Sequence, residues 1–185
     1  MKFYFTLIFF AEGHKSAVQV YIREKNERYT YLSCFTTECQ QPKGICVFAH
    51  KVYICEPKQR QVTEYSISQN LTGKVLRKYK EPDVLVEPMY VAAQVINESI
   101  ILIISDSQMG LNRLVIGEDS SAFKFPPWAV SKENEFSPSK CSTTIRNGKS
   151  EVLVGNSSGH TINLIDFESK QVTYREYSLK DECFG

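Results

Sequence analysis

No stretch of this sequence approaches the ~20 consecutive apolar residues that a membrane-spanning helix needs, so none is expected. Nor does it contain a Gly-x-Ser-x-Gly elbow, a Walker loop, a His-Glu-x-x-His pair or an EF-hand pattern. Only three histidines occur, His14, His50 and His160, and they lie too far apart in sequence to form a local ligand pair. The reading therefore assigns no catalytic residue, no metal and no cofactor. Charge is nearly balanced at +1, which removes an overall electrostatic case for nucleic acid or an anionic membrane. Tryptophan is limited to Trp128. No CxxC pattern occurs, and the six cysteines follow no zinc-module spacing.

What is present is ordinary globular material, 42% hydrophobic and 23% charged, with 12% aromatics in which Tyr and Phe dominate. The stretch Lys43–Ile67, KGICVFAHKVYICEPKQRQVTEYSI, reads as three short strands, Gly44–Ala49, Val52–Cys55 and Val62–Ile67, separated by polar turns. One such meander is marginal alone, but this one recurs. Taking Val52–Cys55 as anchor, equivalents begin at Leu7, Ile101 and Val152, spaced by 45, 49 and 51 residues. A polar turn follows each anchor, and a second strand starts ten or eleven residues after it, at Ala17, Val62, Asn112 and Ile162. A third strand then begins at Tyr29, Lys74, Ser121 and Val172.

Three of the four anchors also have a leading strand: GICVFA, MYVAAQV from Met89, and STTIRN from Ser142, the last joined by the hairpin signal Asn147-Gly148. The pattern predicts about fifteen strands and no helix. A period of this length is that of propeller blades. The expected fold is all-β: a propeller-like array of about four four-stranded antiparallel blades, the first lacking its inner strand, in an open or partial ring. The blades span 1–35, 43–79, 88–125 and 141–179 of a single domain 1–185.

The run PKGICVFAHKVYICEPKQRQVTEYSI resembles an NHL-type blade, with Pro42-Lys43-Gly44 leading into the inner strand and an aromatic-rich second strand. Pro88-Met89-Tyr90-Val91 followed by IILIISDSQMGLNRLVI resembles the same template, and Asp106 falls where that family places an Asp after the second strand. Glu56 and Asn156 stand at the comparable positions of the second and fourth blades. The resemblance implies a non-catalytic module that binds a protein partner, or RNA, through one loop face. Such domains are attached to tripartite-motif ubiquitin ligases, although no RING, B-box or coiled-coil segment occurs here. NHL propellers usually close with six blades, so the resemblance also implies further blades from another chain or from missing sequence. An unpaired edge at Leu7–Phe10 would be an aggregation hazard.

On the repeat, the turns between second and third strands share one face, which gathers the candidate binding residues His14, Lys15, Lys58, Arg60, Gln108 and His160. Side chains on loops of a rigid scaffold are the usual place for binding. Trp128, in a proline-containing loop, is either an exposed partner anchor or a cap on the core.

Two readings stand for Cys46 and Cys55. With His50 and Lys51 as a two-residue turn they face one another and can bridge; otherwise they are buried or half-buried free thiols. The sequons at Asn70, Asn97 and Asn156, with the apolar run after Lys2, fit a secreted alternative with a glycosylated, ligand-binding or hydrolase-like propeller. The first reading places the chain in the cytoplasm, away from the membrane, with residues 7–10 as a strand of blade one.

Overall fold

The computed structural model describes residues 6–24, 27–37, 41–68, 70–116, 121–124, 138–146, 148–156, 161–166 and 177–178. Alternating apolar and polar residues with β-branched and aromatic side chains set the period of two that favours strands. Four separate antiparallel meanders result. The first has three strands, β1 (Thr6–Glu12), β2 (Ala17–Arg23) and β3 (Tyr29–Thr36). The second has β4 (Ile45–Phe48), β5 (Lys51–Glu56), β6 (Gln61–Ile67) and β7 (Gly73–Tyr79). The third has β8 (Pro88–Ile96), β9 (Ser99–Asp106), β10 (Gly110–Ile116) and β11 (Ser121–Lys124). The fourth has β12 (Pro138–Arg146), β13 (Lys149–Asn156), β14 (Thr161–Asp166) and β15 (Tyr177–Ser178). This is the all-β, propeller-like array expected from the repeat, with β1 lacking an inner neighbour among the described residues. No helix of the described residues is long and apolar enough to cross a membrane.

Three buried clusters join each sheet to the next. Val18, Val20 and Phe35 pack on Val52, Ile54 and Tyr65 between the first and second sheets. Tyr53, Cys55 and Tyr79 pack on Val91, Leu102 and Ile104 between the second and third. Ile101 and Ile103 meet Val152, Val154 and Ile165 between the third and fourth. Successive residues of a strand point to opposite faces, so Val52 and Ile54 serve one interface while Tyr53 and Cys55 serve the other. That is why the anchor strands are apolar at consecutive positions.

The inner strands approach closely at Gly44, whose amide donates to the Met89 carbonyl at 2.7 Å, across the boundary between second and third sheets. A Cβ there would lie 2.4 Å from the Tyr90 Cα and 2.6 Å from the Met89 oxygen. The glycine after Pro42 is thus a spacing device: it lets two backbones touch.

Of the two readings for Cys46 and Cys55, the structure has the free thiols, Cys55 buried and Cys46 half-buried, and the bridge is not formed. The turn residues are Ala49 and His50, with φ of 48° and 61°, rather than His50 and Lys51. This pairs Phe48 with Lys51 and Cys46 with Tyr53, leaving Cys55 beside Gly44. Cys46 and Cys55 become diagonal neighbours, whose Cα atoms lie about 7–8 Å apart, too far for an unstrained disulfide.

Burial raises the titration of several core groups. Desolvation pushes the Cys55 thiol well up and that of Cys141 to about 12. The phenols of Tyr53 and Tyr79 are raised by desolvation too, and Tyr79 further by its hydrogen bond to Glu64. In the unfolded chain the thiols ionise near 9.0 and the phenols near 10.0, before they do in the fold. The folded state therefore holds more protons above that range, and stability falls as pH rises. The thermal midpoint is expected to be level from neutral pH to about 9 and to drop steadily beyond it. Circular-dichroism melts across that range check this; an unchanged midpoint well above pH 10 sinks it.

Candidate functional site

In each meander the second strand of the repeat, which is β1 in the first sheet, ends on a polar residue: Glu12 of β1, Glu56 of β5, Asp106 of β9 and Asn156 of β13. Their cross-strand partners, Ala17, Gln61, Gly110 and Thr161, are structurally equivalent. Blade one thus has its own member of the series, Glu12, whose polar turn the repeat places on the same loop face.

Asp106 shows what the position does. Its Oδ2 accepts from the amides of Val86 and Glu87 at 2.8 Å, and its Oδ1 from those of Gln108 and Met109 at 2.9 Å. One buried carboxylate therefore ties the loop leading into β8 to the turn after β9. Glu56, also buried, accepts instead from Gln61 Nε2 and, at 3.4 Å, from the Tyr65 hydroxyl. Glu12 holds Lys15 at 2.8 Å. That Lys15 hydrogen bond keeps the Glu12 carboxyl below its usual range and raises the ammonium.

Beside Asp106 lies a cleft of 480 Å³ between the second and third sheets. Lys43, Lys58 and Arg60 bring three cationic ends to it and Glu87 one carboxylate, a local balance of +2 (three minus one), with Pro57, Val86 and Met89 supplying apolar surface. Local structure aims these groups. Pro57–Gln59 forms a 3-10 turn and Arg60 adopts the left-handed conformation at φ 55°, its amide donating to the Pro57 carbonyl. Lys58 and Arg60 consequently stand exposed. Glu87 is held from the opposite side, accepting from the Ser107 hydroxyl and, at 3.4 Å, from Gln108 Nε2.

The structure brings together Lys58, Arg60 and Gln108 from the sequence-derived set. His14 and Lys15 lie on the β1–β2 turn outside this cleft, and Lys15 folds back on Glu12. His50 is at the other end of its sheet, in the β4–β5 turn. Trp128 and His160 lie outside the described residues. Lys43 and Glu87 are additions: their loops stood out in the sequence, but nothing local marks which side chain turns inward. Asn70 and Asn97 are exposed, whereas Asn156 is buried at the end of β13. Among the described residues no group of three His, Cys, Asp or Glu side chains is placed to hold a metal ion.

No protein-family model and no curated protein matches the sequence. The fold does match solved structures. Virginiamycin B lyase from Staphylococcus aureus superposes with a TM-score of 0.60 at 15% identity, over 95% of this chain and 53% of that one. A putative 6-phosphogluconolactonase from Bacteroides uniformis gives 0.62 at 11% identity, over 96% and 54%. The β-propeller domain of Cps50 (Swd1) from Myceliophteria thermophila gives 0.56 at 9% identity, over 95% and 59%. The chain therefore spans a little over half the length of these neighbours, and the likeness establishes a β-propeller fold.

Proposed function

We propose that this chain is a non-catalytic interaction module that binds an acidic segment of a protein partner through the cleft between its second and third blades. The single observation behind this reading is the convergence of Lys43, Lys58 and Arg60 on one open, partly apolar cleft. Cations on a rigid scaffold attract and orient an acidic chain, and Pro57, Val86 and Met89 add apolar contact area. The cleft's mixture of amides, cations and one carboxylate contains no nucleophile paired with a base, which favours binding over turnover. The NHL-type features, Pro42-Lys43-Gly44 and Asp106, support comparison with the partner-binding domains of tripartite-motif proteins.

The test compares partner capture by the wild-type chain, the Lys58→Glu/Arg60→Glu variant and a Lys74→Glu control on exposed β7. A specific partner should bind at least about tenfold more weakly to the double variant, with marked salt dependence, and unchanged to the control. Capture that is indifferent to the double reversal sinks the cleft. Capture abolished by ribonuclease points to RNA instead.

A further inference from the structure

Lys15, Arg23, Lys51 and Lys149 each have a carboxylate partner, Glu12, Glu27, Glu64 and Asp166 in turn. The cations of the cleft between the second and third blades do not. Lys43, Lys58 and Arg60 are exposed, and among the described residues none of the three is ion-paired. The carboxylate that lines the same cleft does not neutralise them, since Glu87 accepts from the Ser107 hydroxyl and from Gln108 Nε2. Three like charges held close together repel one another, and an anion from outside relieves that repulsion.

The charges are also divided between the two walls. Lys43 precedes β4, and Lys58 and Arg60 lie between β5 and β6, so all three belong to the second blade. Glu87 belongs to the loop 80–87 that leads into the third blade, and this loop also carries Glu81 and Asp83. A run of carboxylates laid across the cleft would meet like charge on that wall. A single compact dianion seated against the cations would not.

A phosphate monoester has that form, with three acceptor oxygens on one centre and about two negative charges at neutral pH. It matches three cationic groups and the local balance of +2 (three minus one). A carboxylate brings two oxygens and one charge, which leaves one of the three cations unserved. Arg60, in its left-handed conformation at φ 55°, offers a rigid fork suited to two phosphate oxygens. Pro57, Val86 and Met89 give a neighbouring apolar residue a surface to rest on. A short phosphorylated side chain keeps the partner's backbone near enough for that neighbour to reach it, which fits serine or threonine. We propose, resting on the reading of this cleft as a partner site, that it takes a phosphorylated serine or threonine with an apolar residue beside it.

Titrating the isotope-labelled chain with short peptides and following its amide NMR shifts tests this. The probes are Ala-Ala-phosphoserine-Leu-Ala, the same peptide with serine, and one with Glu-Glu in place of the phosphoserine. The phosphopeptide should shift the amides of Lys43, Lys58 and Arg60, and bind at least about tenfold more tightly than the Glu-Glu peptide. Lys43→Gln should remove most of that advantage, because two cations then serve three oxygens. Lys58→Glu/Arg60→Glu should abolish binding while the dispersed spectrum of the fold persists. Equal affinity for the phosphoserine and Glu-Glu peptides overturns the phosphate and leaves the acidic-segment reading standing. Inorganic phosphate that competes as strongly as the phosphopeptide also overturns the proposal, because the cleft would then hold a free anion. Failure of every peptide to bind overturns it as well, and the acidic-segment reading falls with it only if partner capture ignores the same double reversal.

Discussion

Replacing Asp106 by alanine is expected to lower stability by about 3–5 kcal/mol, which places it among the most damaging single substitutions in the chain. The carboxylate is fully buried and accepts four backbone amides, from Val86, Glu87, Gln108 and Met109. Removing it leaves those donors without an acceptor, and each buried orphan costs about 1–3 kcal/mol. Water can reach the exposed Gln108 segment, which keeps the total below the simple sum. Asparagine separates the contributions: its oxygen can still serve one pair of amides, while its NH₂ cannot accept from the other. Urea titration should therefore rank wild type above Asp106→Asn above Asp106→Ala, with the Asn variant near the middle. Two variants within about 1 kcal/mol of wild type would mean that the four-amide knot is not what holds the loop. Because this knot also positions Glu87 and Gln108, partner capture at the cleft should weaken in the Ala variant at temperatures where the fold survives.

Gly44→Ala is expected to cost about 3 kcal/mol or more, by overpacking and loss of a hydrogen bond. The added methyl would sit 2.4 Å from the Tyr90 Cα, a backbone atom that cannot swing aside. Relief requires the inner strands of the second and third sheets to separate, which breaks the 2.7 Å bond from the Gly44 amide to Met89. Gly148→Ala is the informative contrast. That glycine has φ of 75° with nothing within 4 Å, so its cost is conformational only, about 1–2 kcal/mol. Thermal melts should show the larger drop for Gly44→Ala, by roughly 2–4 °C for each additional kcal/mol in a chain of this size. Equal drops would contradict a steric origin.

The repeat was legible because its cause is local. A strand buried on both faces must be apolar at consecutive positions, and a turn at a shared end must be polar, so four copies of one pattern gave the number and order of the strands. Leu7–Phe10 could be assigned to a strand on that basis alone, and it lies in β1. Register was not legible at the β4–β5 hairpin. Sliding the turn by one residue, from His50-Lys51 to Ala49-His50, changes no hydrophobic pattern but moves Cys46 from opposite Cys55 to opposite Tyr53. Two left-handed residues decided it, and neither is a glycine.

The site divides along the same line. Lys58, Arg60 and Gln108 were findable, because their positions in the repeat put them on turns at one end. Their meeting with Lys43 and Glu87 was not, since it depends on how closely the second and third sheets approach, which the Gly44 backbone contact with Met89 permits, and on how Asp106 ties down the loop that carries Glu87. The sequence by itself determined an all-β array of repeated meanders and its polar turn face, both consequences of periodic burial along the chain. Only the tertiary structure decided the hairpin register and the membership of the cleft. Those depend on contacts between residues distant in sequence, where a shift of one residue or a few tenths of an ångström changes which side chains meet.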